Sequence, residues 1–238
     1  FQLLCWLHVL VIALIGASVD SSAAEAWQGR FFLAVNDAGE KIYVFGTMHS
    51  EDERVVQLPL VVEQGFNDAQ TLVLELELTA DAMVAASMAS LLDDDTELVN
   101  LIPGELYGRV VAVAEARGLP EQLVRKLKPW AVMMFLSMPV PETGMFLDRV
   151  LYQQALARQK RIVALETVQE QLGIFAQLDG HQQVQLLEAT IATAGQLNHW
   201  LEQMTVRFLD GDLEGLQETN LATMSAVEPL LRDRLIRA

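Results

Sequence analysis

One stretch, residues 71–78, is almost continuously apolar and constrains the fold more than any other part of the chain. Such a stretch is typical of a β-strand whose two faces are both covered. A shorter buried strand is predicted at 161–165, and β-branched and aromatic runs at 30–35 and 41–45, joined by turn residues 36–39, predict a hairpin. Helical patterns occupy most of the remainder. We therefore expect an α+β single domain, with a small central β-sheet covered by many α-helices.

The helical patterns are separated by proline, glycine and capping residues. Thr167, with Glu170 three positions later, predicts a capping box at a helix start. Apolar residues at three- and four-residue spacing from His181 to Phe208 predict one long amphipathic helix, which Gly211 and Asp212 end. The other predicted helices cover residues 58–69, 79–92, 105–117, 120–126, 129–138 and 145–159, and two more run to Ala238.

The charge balance bears on the class of partner. The chain has 238 residues, 16 Lys and Arg against 32 Asp and Glu, a net charge of −16 and a hydrophobic fraction of 52%. This length and apolar content suit one domain with a sizeable core. An acidic surface repels phosphate, and the basic clusters at 125–128 and 158–161 are short, so nucleic-acid binding is not expected.

The amino-terminal residues predict export. Residues 3–19 are nearly all apolar, and Ala24-Glu25-Ala26 has the small-x-small pattern of a cleavage site. We expect residues 1–26 to be a signal peptide, or an uncleaved signal anchor, and 27–238 to be the domain. The predicted location is periplasmic, secreted or envelope-associated, with membrane contact only through this apolar segment. No Lys or Arg precedes the apolar run, so the basic start of the signal is expected to be missing from this sequence.

Cleavage would also remove Cys5, the one cysteine. The mature chain would then form no disulfide, thiolate zinc site or thiol nucleophile. The sequence also lacks the G-x-S-x-G, P-loop, G-x-G-x-x-G, H-E-x-x-H and C-x-x-C motifs.

Three residues within or at the ends of predicted strands are candidates for a functional site. His49 follows the strand and glycine turn Tyr43-Val44-Phe45-Gly46-Thr47-Met48, and Glu75 and Glu166 lie within or at the end of apolar strands. One imidazole and two carboxylates suit a divalent metal such as manganese, cobalt, iron or zinc. Alternatively, His49 caps a turn, Glu75 pairs with an arginine and Glu166 accepts hydrogen bonds from helix amides. Asp148 is favoured in the first turn of its predicted helix by the helix dipole, whether or not it is functional.

At these residues the sequence resembles the TraB/GumN family, which includes the Tiki proteins. Tyr43 to His49 is similar to the family's G-x-x-H motif, with Gly46 as its glycine. The other similar segments, in order, are Leu58-Pro59, Leu72-Val73-Leu74-Glu75, Phe146-Leu147-Asp148 with Ala155, Leu165-Glu166-Thr167 with Glu170-Gln171, and Phe208 with Gly211-Asp212-Leu213.

Two positions depart from the family pattern. Phe146 and Leu147 precede Asp148 where the family commonly has a glycine. Near the carboxyl end the family has a second G-x-x-H after an arginine-asparagine pair, whereas here Arg234 is followed by Leu235. The sequence ends before such a motif, so we expect it to be a fragment, with the TraB/GumN-like domain incomplete at its carboxyl end.

The resemblance implies a metal-dependent hydrolase, specifically a peptidase with metal-activated water as nucleophile. It implies His49 and Glu75 as metal ligands, Glu166 as ligand or base, Arg234 as a stabiliser of negative charge, and Gly46 and Asp148 as supporting residues. Manganese or cobalt is favoured, with zinc or iron as alternatives, and a peptide or protein is the expected substrate. The alternative is a non-catalytic accessory or peptide-binding protein of the envelope.

Overall fold

The computed structural model describes residues 30–76 and 78–225, together with residues 227, 229 and 231. The predicted signal segment 1–26 and the predicted site residue Arg234 lie outside these residues. The domain boundary at residue 27 therefore stays a prediction.

The predicted hairpin is confirmed. Strands β1 (Phe31–Val35) and β2 (Lys41–Phe45) pair antiparallel, with Phe31 opposite Phe45. The Asn36 side-chain oxygen accepts hydrogen bonds from the backbone N–H groups of Ala38 and Glu40 at 3.0 and 2.9 Å, and Gly39 has a φ of +80°. Asparagine and glycine are suited to this turn because they tolerate such local bonding and positive φ.

The second pair of strands is parallel. Strands β3 (Thr71–Leu76) and β4 (Arg161–Glu166) align with Leu72 opposite Ile162. In the described chain the four strands thus form two two-stranded sheets, whereas the sequence predicted one small central sheet. Strand periodicity states which side chains are buried but not which strand is the neighbour. The α+β class itself is confirmed.

Helices make up most of the described chain and cover these strands. They are α1 (Glu53–Val56), α2 (Leu60–Asp68), α3 (Ala80–Ser90), α4 (Gly104–Ala116), α5 (Glu121–Val124), α6 (Pro129–Ser137), α7 (Leu147–Ala157), α8 (Val168–Ala176), α9 (Gly180–Thr193), α10 (Leu197–Asp210) and α11 (Leu213–Thr223). No helix within these residues is long and apolar enough to cross a membrane.

The prediction of one long helix from His181 to Phe208 is wrong. A 3₁₀ turn, Ala194–Gln196, separates α9 from α10. Gly195 weakens a helix interior, and the Thr193 hydroxyl donates to the carbonyl of Ala189 at 2.9 Å, a type of bond that bends helices. The predicted end of this region is confirmed, because Gly211 adopts a left-handed conformation after α10 and Asp212 caps α11.

Two hydrophobic cores support the fold. One lies among the helices, where the rings of Trp130 and Phe175 stack at 6.3 Å. The other joins the hairpin, β3, α7 and α10 through side chains such as Phe45, Leu147 and Phe208. This second core anchors the carboxyl end of β2 and the start of α7, the two places from which the candidate site is built.

Candidate functional site

His49 lies just beyond the carboxyl end of β2. The Gly46 N–H donates to the Arg30 carbonyl at 2.8 Å and so continues the hairpin pairing past the strand. Gly46 and Met48 are buried, and the His49 side chain retains 21% of its surface. The motif predicted from the sequence therefore holds its glycine inside and presents its imidazole at the edge of the core.

Asp148 lies next to this imidazole, on the side of Nδ1. It is in the first turn of α7, and its side chain is only 7% exposed. The Thr47 hydroxyl donates to Asp148 Oδ1 at 2.8 Å, and Asp148 Oδ2 lies 3.3 Å from His49 Nδ1. Within the described residues Oδ2 has no aligned hydrogen bond. Such contacts commonly tighten only when a ligand is bound.

A ring contact further restricts the imidazole. The Phe146 ring stacks on His49 with 4.9 Å between centroids and 19° between planes. The Leu147 N–H donates to the Ser50 carbonyl at 3.3 Å, which ties the start of α7 to the loop that carries His49. Asp148, Thr47 and Phe146 together therefore set the position and orientation of one histidine.

Glu75 and Glu166 lie on the other pair of strands. Leu76 pairs with Glu166, so Glu166 shares a face with Leu76, and Glu75, one residue earlier, points to the opposite face. Glu166 is exposed and Glu75 is partly exposed. The first-turn amide of α8 is bonded by Thr167 rather than Glu166, because Thr167 and Glu170 form the predicted capping box.

An open cleft of about 690 Å³ borders His49. Its apolar wall comes from α6 and the segment that follows it, including Phe135, Met138 and Pro139, with Phe146 beside the histidine. Glu75 and Glu166 do not contribute to this lining. Across the described ranges, no group of three or more His, Cys, Asp and Glu side chains is arranged to hold a metal.

Glu51 shapes the cleft and was not predicted from the sequence. Its carboxylate accepts hydrogen bonds from the backbone N–H groups of Glu142, Thr143 and Gly144 at 3.1, 2.7 and 2.9 Å, and from the Thr143 hydroxyl at 2.9 Å. Burial alone would raise the pKa of this carboxyl, but the bonds outweigh it, so the Glu51 pKa lies below its ordinary value. Glu51 thus holds the segment after α6 against the loop that carries His49.

Arg54 connects another edge of the cleft. Its guanidinium contacts Asp52 at 2.6 Å and Glu202 of α10 at 2.8 Å. Both carboxylates are bonded to this one cation, which makes them less available to ligands. The Arg54–Glu202 ion pair links α1 to α10 at an exposed position, where ion pairs contribute little stability.

The comparison with protein families is informative. The model of the TraB/PrgY/gumN family matches residues 31–238, which is most of the chain. No curated protein sequence and no solved structure matches the chain significantly.

Proposed function

Because the chain belongs to the TraB/PrgY/gumN family, we propose that it is a metal-dependent hydrolase that cleaves peptides, with His49 at the reaction centre. The observation that supports this proposal is the His49–Asp148 pair beside an open cleft. A cleft of this volume can hold a few residues of an extended peptide.

The His49 environment fits one metal-ligand position. Histidines that bind metals usually donate the other ring N–H to a carboxylate, and Asp148 is placed to accept it from Nδ1. A proton held on Nδ1 would leave the Nε2 lone pair available to a metal. Catalytic sites generally need three protein ligands. The family resemblance, and not the cleft geometry, contributes the other roles to the proposal, since Glu75 and Glu166 lie outside the cleft lining. These roles are Glu75 as a second ligand, Glu166 as ligand or base, and Arg234 as a stabiliser of negative charge, with manganese or cobalt favoured over zinc or iron.

The chain's own residues would prepare the site for this chemistry. A bound divalent ion would supply an activated water. Asp148 would hold the proton on Nδ1 of His49, 3.3 Å away, while the Thr47 hydroxyl positions Asp148 and the Phe146 ring restrains the imidazole plane. The apolar wall at Phe135 and Met138 would orient the peptide and exclude bulk water from one side.

We further propose that the protein is exported to the periplasm, the envelope or the medium. The apolar residues 3–19 and the Ala24-Glu25-Ala26 pattern support this location. Fractionation of cells that express the natural gene, with immunodetection of the mature amino terminus at residue 27, would test it. Detection of only an unprocessed cytoplasmic form would contradict it.

Metal binding is tested by thermal unfolding with manganese or cobalt. We expect both ions to raise the Tm of the wild type, because a ligand at one hundred times its Kd stabilises by about 2.7 kcal/mol. His49→Ala should abolish the shift, and His199→Ala, which alters an exposed histidine on α10, should keep it. Absence of any metal response in the wild type would contradict the metal-dependent mechanism.

A non-catalytic peptide-binding role is the second candidate. The apolar wall of the cleft favours it, since such a wall binds peptides without requiring any reaction. Digestion of a peptide library with and without metal separates the two roles. Metal-dependent cleavage that Glu75→Gln abolishes would support the hydrolase, and retained peptide binding without cleavage in the wild type would support the binding protein.

A further inference from the structure

Two arginines in the cleft have no carboxylate partner in the described part of the chain. Arg117 follows α4, and Arg149 is in the first turn of α7, directly after Asp148. Arg117 Nη2 donates to the Met138 carbonyl, and Arg149 Nη1 donates to the Gly144 carbonyl at 3.4 Å. Both guanidinium groups thus contact the same segment, residues 138–144, and neither is part of an ion pair there.

The Arg117 guanidinium makes fewer hydrogen bonds than its donors allow. Its Nε atom is buried and has no hydrogen-bond partner among the residues that the structure describes, and burial lowers the pKa of the guanidinium. A guanidinium carries five N–H donors, of which one carbonyl satisfies few. A partly buried cation without an anion is unfavourable, and an anion that enters the cleft would correct this.

The nearby carboxylates are already engaged or face solvent. The four hydrogen bonds from the segment 142–144 occupy Glu51, and Arg54 occupies Asp52 and Glu202. Glu53 and Glu142 are exposed at the cleft. Within the described residues no cleft carboxylate is bonded to either arginine, so an anionic ligand could bind both guanidinium groups without displacing one.

The same surroundings select the kind of anion. The exposed Glu53 and Glu142 repel a polyanion more strongly than a single negative charge. Phe135 and Met138 lie in the same lining as Arg117 and offer an apolar surface, which a free phosphate would not use. A planar carboxylate attached to an apolar group matches both the guanidinium fork and this surface.

We propose that Arg117 and Arg149 bind the C-terminal carboxylate of a peptide, with Phe135 and Met138 contacting its last side chain. This inference rests on the proposed function, in that it specifies which peptides that site accepts. It requires only binding, so it can be tested without hydrolysis.

The test measures peptide affinity by calorimetry in excess EDTA, which prevents metal-dependent cleavage. The probe is an N-acetylated tetrapeptide of apolar residues, as the free acid and as the C-terminal amide. We expect the free acid to bind about 10- to 100-fold more tightly, the effect of charge-assisted hydrogen bonds. Arg149→Gln and Arg117→Gln should each remove most of this preference, while Arg109→Gln, an exposed arginine on α4, should leave it unchanged.

Several outcomes would overturn the inference. Equal affinity for acid and amide, or an equal loss of preference in Arg109→Gln, would do so. Inorganic phosphate that displaces the peptide more effectively than acetate would show a phosphate site instead. If Arg117→Gln does not fold, Arg149→Gln alone decides the result. Tighter binding of the free acid, without any response of the protein to metal, would refute only the proposed hydrolase. Metal-dependent cleavage of the free acid and the amide at equal rates, with equal affinity for both, would refute only this inference.

Discussion

At the scale of single residues, the site depends on how one carboxylate is shared. Asp148 accepts from Thr47 with one oxygen and faces His49 with the other, so it connects the turn after β2 to the start of α7. An acid in the first helical turn has an ordinary explanation in the helix dipole. Its burial and its contact with the imidazole give it a second role, as a positioning residue.

Asp148→Asn separates these two roles. The amide keeps the size of the side chain and can still accept from Thr47, but its NH₂ group facing His49 favours the proton on Nε2. We expect metal affinity to fall about 10- to 100-fold, as for other such positioning residues. Titration of the metal-induced Tm shift measures this. Asp81→Asn, in the exposed first turn of α3, is the control and should keep the wild-type affinity.

Glu51 predicts a specific dependence of stability on pH. Its folded pKa lies below the ordinary value of 4.5, so its charged form stabilises the native state above pH 4.5. This contribution is lost as the pH falls through the lowered pKa. Glu51→Gln should reduce the free energy of unfolding by about 1–3 kcal/mol at neutral pH, and the difference from wild type should shrink on acidification.

Denaturant unfolding at several pH values between neutrality and strong acid tests this prediction. Glu142→Gln, at an exposed position of the same segment, should unfold like the wild type at each pH. If the free energies of unfolding of Glu51→Gln and wild type differ by the same amount at every pH, the shape of the Glu51 side chain and not its charge stabilises the protein.

At the scale of elements, the hairpin and α2 meet through a glycine. A Cβ atom added at Gly65 would lie 2.7 Å from the Phe31 ring and 3.0 Å from the Tyr43 ring. The Tyr43 hydroxyl donates to Asp68 at 2.8 Å, which keeps that ring in place. The close approach supports the core from which the His49 loop extends.

Gly65→Ala should therefore destabilise the protein by about 1–3 kcal/mol, as overpacked sites do. The matched control is Gly108→Ala on α4, where an added Cβ meets nothing within 4 Å. This control should stabilise by up to about 1 kcal/mol through helix propensity. Denaturant midpoints measure both effects. A Gly65→Ala midpoint as high as that of Gly108→Ala would contradict the packing argument.

At the scale of the whole molecule, the net charge of −16 acts on every ligand that approaches. Long-range repulsion disfavours polyanions, while a local arginine pair can still bind one carboxylate, because a short-range contact is screened less than the overall field. The molecule thus combines a general bias against acidic ligands with a local site for a single anionic group.

Salt should distinguish these two effects. A free-acid peptide with added acidic side chains should bind more weakly than the apolar free-acid peptide at about 0.01 M ionic strength. The difference should shrink at about 1 M, where the Debye length is about 3 Å. Affinities measured at both ionic strengths test this. The apolar free-acid peptide is the control, and a salt-independent difference would indicate a steric cause instead.

The sequence alone determined the features that depend on neighbours along the chain. The hairpin turn, the Thr167–Glu170 capping box, the Gly211–Asp212 boundary and the placement of His49 after β2 all follow from local conformation and hydrogen bonding. The family-like motifs also indicated Asp148, whose supporting role stays a prediction.

Only the tertiary structure decided what depends on distant partners. It established that Asp148 lies against His49, that Glu75 and Glu166 face opposite sides of the β3–β4 pair, and that Glu51 holds the segment 142–144. It also placed Arg117 and Arg149 on one cleft. These contacts span tens to about a hundred residues, and periodicity along a chain carries no record of which elements pack together.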